Sequence, residues 1–240
     1  MLVLALDTTT RTGSCAIARD GAVLAEAVSD PAAPHARMLP TFLGTLLTSG
    51  GVTLADVDAF AVATGPGSFT GLRIGIATMQ GLAFASGRPL VGVSTLDALA
   101  HAAVGSLGVE AVRPEGDADL AARVVTLVDA WRGEVYCAVY DGTVARGDAA
   151  VGRPDVVLAG IDLPATFIGD GVAASAERLR AAFGARATLH DPLAPPLAGT
   201  IARLATARLL AGDAPPPGDI RPLYVRRPDV ELTREGRPGA

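Results

Sequence analysis

Leu2-Val-Leu-Ala-Leu-Asp7-Thr-Thr-Thr10-Arg-Thr-Gly-Ser-Cys15-Ala-Ile-Ala-Arg19-Asp20-Gly21 sets out an apolar run, a polar Asp-Thr turn, a second apolar run and a hairpin signal. Leu2–Asp7 reads as a buried strand, because an unbroken apolar run ends at turn residues. Gly13–Arg19 reads as its neighbour, and Asp20-Gly21 predicts a tight hairpin into a third strand ending near Ser29. The same grammar returns later. Asp7 is followed eight positions on by Cys15-Ala-Ile, and Asp129 eight positions on by Cys137-Ala-Val. Asp20-Gly21 matches Asp141-Gly142, and Gly65-Pro-Gly and Gly169-Asp-Gly each precede a helical pattern. Matches in a shared order predict a duplicated lobe. Two lobes facing each other leave a cleft, the usual place for a ligand.

Working outward, a helix is expected at His35–Ser49 with Gly50-Gly51 as its stop, a strand at Asp58–Thr64, and a helix at Thr70–Ser86 closed by Gly87. Leu90–Val93 follows as a strand, and Ser94 caps a helix beginning near Thr95, with Asp97 as the acidic partner of the cap. The second half predicts strands at Ala122–Asp129, Glu134–Tyr140 and Thr143–Ala150, and a short helix at Asp155–Ala159. Strand Thr166–Gly169, helix Val172–Phe183, strand Ala187–His190 and helix Pro196–Leu210 complete it. Both halves therefore read β-β-β-α-β-α-β-α. The lobes are set at residues 1–104 and 105–226, with helix 196–210 free to pack across them. Gly105–Asp119 is read as a loop, Asp213–Asp219 as a proline-rich linker, and residues 227–240 as a mobile polar tail.

Half of the 240 residues are hydrophobic, enough for a sizeable core. No apolar run approaches the ~18–20 residues of a membrane helix, and no basic region precedes the first strand, so a cytoplasmic chain is expected. The formal net charge is −5 and every basic residue is arginine. A lysine nucleophile and a P-loop lysine are thereby excluded, and the electrostatic footprint of independent nucleic-acid binding is missing. Cys15 and Cys137 lie within strand patterns and read as buried free thiols. His35, His101 and His190 are too scattered to suggest a metal site, so no metal is expected.

Asp7, Thr8 and Thr9 allow two readings. A strand followed by an Asp-Thr turn is how the actin, sugar-kinase and Hsp70 superfamily holds phosphate, yet the same residues satisfy an ordinary β-turn. The matching turn, Asp129-Ala-Trp131-Arg132-Gly133, carries side chains too bulky for a phosphate to approach the backbone. Arg132 reads instead as a fixed positive charge or a partner for Asp129. Gly169 and Gly171 either admit a nucleotide base to the helix N-terminus or simply form a β–α turn. No Ser/His/Asp or Cys/His set is evident. The cleft reads as one that no longer turns over nucleotide.

Gly65-Pro-Gly-Ser-Phe-Thr-Gly-Leu-Arg-Ile-Gly75 is the most specific stretch. Ser68 or Thr70 can cap the helix that follows. Gly71 and Gly75 stand four apart on one face, continued by Met79 and Leu82. Glycine inside a helix costs up to ~1 kcal/mol relative to alanine, so the pair implies a close backbone approach, to this chain's own core or to a foreign surface. Leu39, Phe42, Leu43, Leu46 and Leu47 give the preceding helix an apolar stripe wide enough to pack on two sides.

This stretch and its continuation through Ala83, together with the opening Leu-Ala-Leu-Asp-Thr-Thr-Thr, closely resembles the TsaB (YeaZ) family of tRNA threonylcarbamoyladenosine biosynthesis subunits. His35-Ala-Arg-Met-Leu-Pro40, Gly92-Val-Ser-Thr-Leu96, Asp129–Tyr136 and Arg221-Pro-Leu-Tyr-Val-Arg226 fit the same family. The resemblance implies an α/β, actin-like (ASKHA, ribonuclease H-like) fold in two duplicated lobes, mixed sheets flanked by helices. It also implies a non-catalytic dimerisation and activating subunit, paired with the paralogue TsaD. TsaD transfers threonylcarbamoyl from threonylcarbamoyl-AMP to N6 of adenosine 37 in tRNAs reading codons that begin with A. The ATPase TsaE joins the complex, a homodimer is available to the chain when alone, and tRNA is met only through the complex. ATP and a metal belong to the partner subunits. The family's interface helices correspond to His35–Ser49 and Thr70–Ser86, making His35, Leu39, Phe42, Leu43, Leu46, Gly71, Gly75, Met79 and Leu82 the expected interface. Thr95 and Leu99 stand where the paralogue carries two metal-binding histidines. The alternatives are a nucleotide-binding actin-like phosphotransferase and a protease acting on its partner. Arg221, Arg226 and Arg227 form a modest basic cluster, read as a solvated tail.

Overall fold

β1 (Leu2–Asp7) is buried along its whole length because it is the central strand of a five-stranded sheet. In this computed structural model the described residues are 1–32, 35–106 and 123–225, with backbone alone for His35 and Ala36. β2 (Ser14–Arg19) pairs antiparallel with β1, and β3 (Ala22–Val28) antiparallel with β2. α1 (His35–Ser49) leads to β4 (Ala59–Gly65), then α2 (Phe69–Ser86) leads to β5 (Leu90–Ser94). β4 lies parallel to β1 and β5 parallel to β4, giving the order β3-β2-β1-β4-β5.

The predicted repeat appears, with one strand more in the second sheet. After α3 (Thr95–Ser106), β6 (Arg123–Asp129) takes the central place of β1. β7 (Val135–Asp141) pairs antiparallel with it, and β8 (Val144–Ala145) antiparallel with β7. β9 (Ala150–Gly152) also pairs with β7, and α4 (Pro154–Val157) follows. β10 (Ala165–Ile168) lies parallel to β6, and after α5 (Asp170–Phe183) β11 (Ala187–Leu189) lies parallel to β10. This is the duplicated actin-like fold. The single strand expected at Thr143–Ala150 is two. Gly147 takes φ +149°, and Arg146 turns out to meet Asp141 and Asp162, which breaks the ladder between β8 and β9. The expected tail and the loop between α3 and β6 fall largely outside the described residues. None of the described helices is long and apolar enough to cross a membrane.

The two lobes exchange their last helices. α3 follows β5, yet Leu96, Leu99 and Ala103 pack with Val124, Val128 and Ile168 of the second sheet. α6 (Ala198–Leu210) follows β11, yet Ile201, Ala202 and Ala205 pack with Val3, Ala5, Ala16 and Ala18 of the first sheet. No residue at the start of α6 caps it. Ser14 Oγ on β2 accepts hydrogen bonds from the Leu197 and Ala198 amides at 3.2 and 3.1 Å, and Glu26 Oε1 on β3 accepts one from Gly199 N at 2.7 Å. Orphan amides of a helix N-terminus are thus met from the other lobe, with a carboxylate at the positive end of the dipole. Tyr140 OH on β7 donates to Asp97 on α3 at 2.8 Å, a further tie between the lobes. Beyond α6 the chain returns to α2. Gln80 Nε2 donates to the carbonyls of Pro217 and Ile220, Leu223 N donates to Thr64 O, and Arg73 Nε donates to the Tyr224 hydroxyl.

Candidate functional site: the cleft between the lobes

A cavity of about 390 Å³ opens where the C-terminal ends of β1 and β6 face each other. Its two turns are built alike. Asp7 Oδ1 accepts from Thr9 N at 2.8 Å and from Thr9 Oγ1 at 2.7 Å; Asp129 Oδ1 accepts from Trp131 N at 2.8 Å. Each aspartate closes a turn on the amide two residues ahead.

The first turn is filled by its own chain. The Thr8 hydroxyl donates to Gly71 O at 2.7 Å, and Thr9 O accepts from Ser68 N at 2.7 Å. Both threonines are 1% exposed. Ser68 caps α2, accepting from Gly71 N at 3.2 Å. A Cβ on Gly71 would overlap the Thr8 carbonyl oxygen, and one on Gly75 would overlap the Thr8 hydroxyl. The close approach that the glycine spacing predicts is therefore made inside this chain. Leu39, Leu43, Leu46 and Met79 are buried in one core with β1, β2 and β4. Of the expected interface, six residues (Leu39, Leu43, Leu46, Gly71, Gly75, Met79) are thus occupied by internal packing, and Phe42 and Leu82 are half-buried. His35 is the first residue of α1, its side chain outside the described residues. α2 turns outward Phe69, Thr70, Arg73, Ala77, Gly81 and, near its end, Phe84, Ala85 and Ser86, and α1 turns outward Arg37, Pro40, Thr41, Gly44, Thr45, Thr48 and Ser49.

The second turn holds two non-glycine residues in the left-handed region, Trp131 at φ 62° and Arg132 at φ 58°. Trp131 forms part of the cavity wall, whereas Arg132 is exposed beside it. The Arg11 guanidinium, from the opposite turn, lies 4.7 Å from the Trp131 ring centroid, a cation–π contact across the cleft mouth. Gly169, at φ +117°, lies so close to β6 that a Cβ would overlap Leu127 O, and a Cβ on Gly171 would stand 3.0 Å from the Leu127 carbonyl carbon. These glycines bring α5 against its strand rather than admit a base. Sequence reasoning weighs the glycines and misses the acid between them. Asp170 lines the cavity, and its Oδ1 accepts from Asp129 N at 3.0 Å. Burial pushes the Asp170 carboxyl above its ordinary value, the Asp129 amide pulls it back, and the charges of Asp129 and Asp7 push it up again. Thr95 and Leu99, at the start of α3, complete the wall; Thr95 is fully buried and its Oγ1 has no protein partner.

The hydroxyl of Thr8 and the amides at the start of α6 are already used within the chain, and three carboxylates face the space. Among the described residues no three His, Cys, Asp or Glu side chains stand close enough to hold a metal ion. Both cysteine thiols are pushed up by burial to about 12, Cys15 with a further contribution from Glu26. Such thiols are not nucleophiles at neutral pH.

One pair escapes the sequence altogether, being 84 residues apart: Ser106 Oγ lies 2.6 Å from His190 Nε2, and His190 Nδ1 lies 2.7 Å from Pro192 O. A carbonyl only accepts, so Nδ1 carries the proton, and the one Ser106 hydroxyl hydrogen is contested by Nε2 and by Ala103 O at 2.8 Å. Ser106 is the last residue of α3, at the negative end of the helix dipole, which disfavours an alkoxide or oxyanion there. The pair ties α3 to the link before α6, and the protease alternative gains no support from it. Arg221 bends back on its own backbone, donating to Gly218 O and Ile220 O, while Arg226 and Arg227 lie outside the described residues.

A model of the family TsaD, tRNA N6-adenosine threonylcarbamoyltransferase, matches residues 22–175. The chain is 39% identical over 162 residues to the tRNA threonylcarbamoyladenosine biosynthesis protein TsaB of Escherichia coli, a match spanning 65% of this chain and 64% of that protein. It is similar in structure to YeaZ from Pseudomonas aeruginosa, with a TM-score of 0.73 and 32% identity, covering 93% of this chain and 99% of that one. The (R)-2-hydroxyglutaryl-CoA dehydratase component A of Acidaminococcus fermentans shares the fold alone, with a TM-score of 0.56 and 9% identity over 88% of this chain and 99% of that one.

Proposed function

The chain belongs to the TsaB (YeaZ) family of tRNA threonylcarbamoyladenosine biosynthesis proteins, and we propose that it is the non-catalytic, activating subunit of the complex that makes this modification. In this reading the paralogous transferase carries out the transfer of threonylcarbamoyl to N6 of adenosine 37. This chain docks on it through the outward faces of α1 and α2. ATP and metal reside in the partner subunits, the ATPase TsaE joins the assembly, and tRNA is met through the complex.

The observation that carries the reading is the use of the Thr8-Thr9 turn. The donors that would face a phosphate are committed within the chain, the Thr8 hydroxyl to Gly71 O and the Thr9 amide and hydroxyl to Asp7 Oδ1. Thr95 and Leu99 add to it, since neither side chain supplies the imidazole that the paralogue's metal needs. The outward face of α2 supports docking, because it is uncharged from Ala77 through Gly81 to the exposed Phe84, and a Cβ on Gly81 would meet nothing within 4 Å. Ala77→Arg and Gly81→Arg place a bulky charge on that face without touching the core. Gel filtration with the purified transferase paralogue is expected to show heterodimer for the unaltered chain and its loss in both variants, with unchanged melting temperatures. Heterodimer persisting in both variants would remove α2 from the interface.

A further inference from the structure

We propose that the cavity between the lobes binds a small aliphatic polyamine, held by the carboxylates of Asp7, Asp129 and Asp170 and by the Thr95 hydroxyl. The inference does not rest on the subunit reading. Three carboxylates converge on one cavity, and among the described residues neither Asp129 nor Asp170 has a salt bridge. The charges of Asp129 and Asp7 each disfavour ionised Asp170, a repulsion that a bound cation relieves.

Thr95 supplies the independent pointer. It is fully buried in the cavity wall and its Oγ1 has no partner, an arrangement native proteins avoid unless something else satisfies the group. A hydroxyl among carboxylates calls for a donor, and an ammonium group brings up to three N–H bonds. A single metal ion does not answer the geometry, because no three acidic, cysteine or histidine side chains among the described residues come together closely enough. Spaced charges suit a ligand whose nitrogens are spaced too. Val28, Leu99 and Val128 offer apolar wall for the methylenes between them, and Trp131 already carries the Arg11 cation on its ring. The cavity volume, about 390 Å³, falls within the roughly 300–1,000 Å³ of small-molecule sites.

Trp131 is the only tryptophan and forms part of the wall, so its fluorescence reads the site directly. Spermidine is titrated into the full chain, with sodium chloride at matched ionic strength as the reference, and calorimetry gives the stoichiometry. A saturable change at one spermidine per chain is expected, weakened about tenfold or more in Asp170→Asn, where the Asp129 amide keeps an acceptor. Thr95→Val is expected to weaken spermidine binding while raising the ligand-free melting temperature by about 2–4 °C, since it removes an unpaired buried hydroxyl. A merely structural Thr95 would not separate those two readouts in opposite directions. The proposal is overturned by no saturable change, by a stoichiometry of several per chain, by equal affinity in both variants, or by saturable binding of magnesium ATP with none of spermidine.

Discussion

Thr8 is held between two glycines, and the two contacts differ in kind. A methyl at residue 71 would meet the Thr8 backbone oxygen, whereas one at residue 75 would meet the Thr8 hydroxyl, which can be removed. Gly71→Ala and Gly75→Ala should each destabilise the chain by about 1–3 kcal/mol, the usual cost of overpacking. Thr8→Ala should rescue Gly75→Ala in a double-mutant cycle and leave Gly71→Ala unrescued. Urea melts decide it, and equal rescue of both would show that the contacts are not as described. The sequence made this pair legible as a close approach, since glycine in mid-helix is a local cost needing a reason. It did not say to what, because periodicity marks a face and not the surface that covers it. Asp170 was hidden for another reason: its environment is assembled from three segments far apart in sequence. Its folded-state pKa lies above the ordinary 3.8, so ionising it costs folding free energy. That cost is absent below the unfolded pKa and grows as pH rises toward the folded one. Asp170→Asn should accordingly melt higher than the parent at pH 7, with the gap closing below about pH 4. A gap that widens in acid contradicts the assignment.

At the scale of elements, the expected strands and helices are found nearly where the apolar patterns and caps put them. The crossing of α3 was not legible, since an apolar helix face does not name the sheet that receives it, while the sequence left open a crossing by α6. Its caps were equally hidden, because Ser14 and Glu26 lie far before the helix they serve. Ser14→Ala removes an acceptor shared by two amides and should cost about 0.5–2 kcal/mol, the range for loss of a helix cap. Thermal melts check it; an unchanged melting temperature would mean that solvent satisfies the α6 amides equally well. The break between β8 and β9 was missed because Gly147 interrupts a run otherwise read as one strand.

Across the whole molecule, the repeat was the most legible property. Paired Asp, Cys-Ala and Asp-Gly signals predicted two lobes, and both sheets share one strand order and one pattern of parallel and antiparallel neighbours. The lobes have diverged where they face each other. One turn is filled by α2, the other carries Trp131 and Arg132 in left-handed backbone, and three carboxylates occupy the space between. A cleft so altered fits a chain that acts by assembly. Reconstituted modification of tRNA tests that claim most directly, by measuring threonylcarbamoyladenosine formed from threonylcarbamoyl-AMP with the transferase paralogue and TsaE, with and without this chain. Product is predicted only when this chain and the paralogue are together, and none from this chain alone. Product from this chain alone, or an undiminished rate when it is left out, would contradict the account.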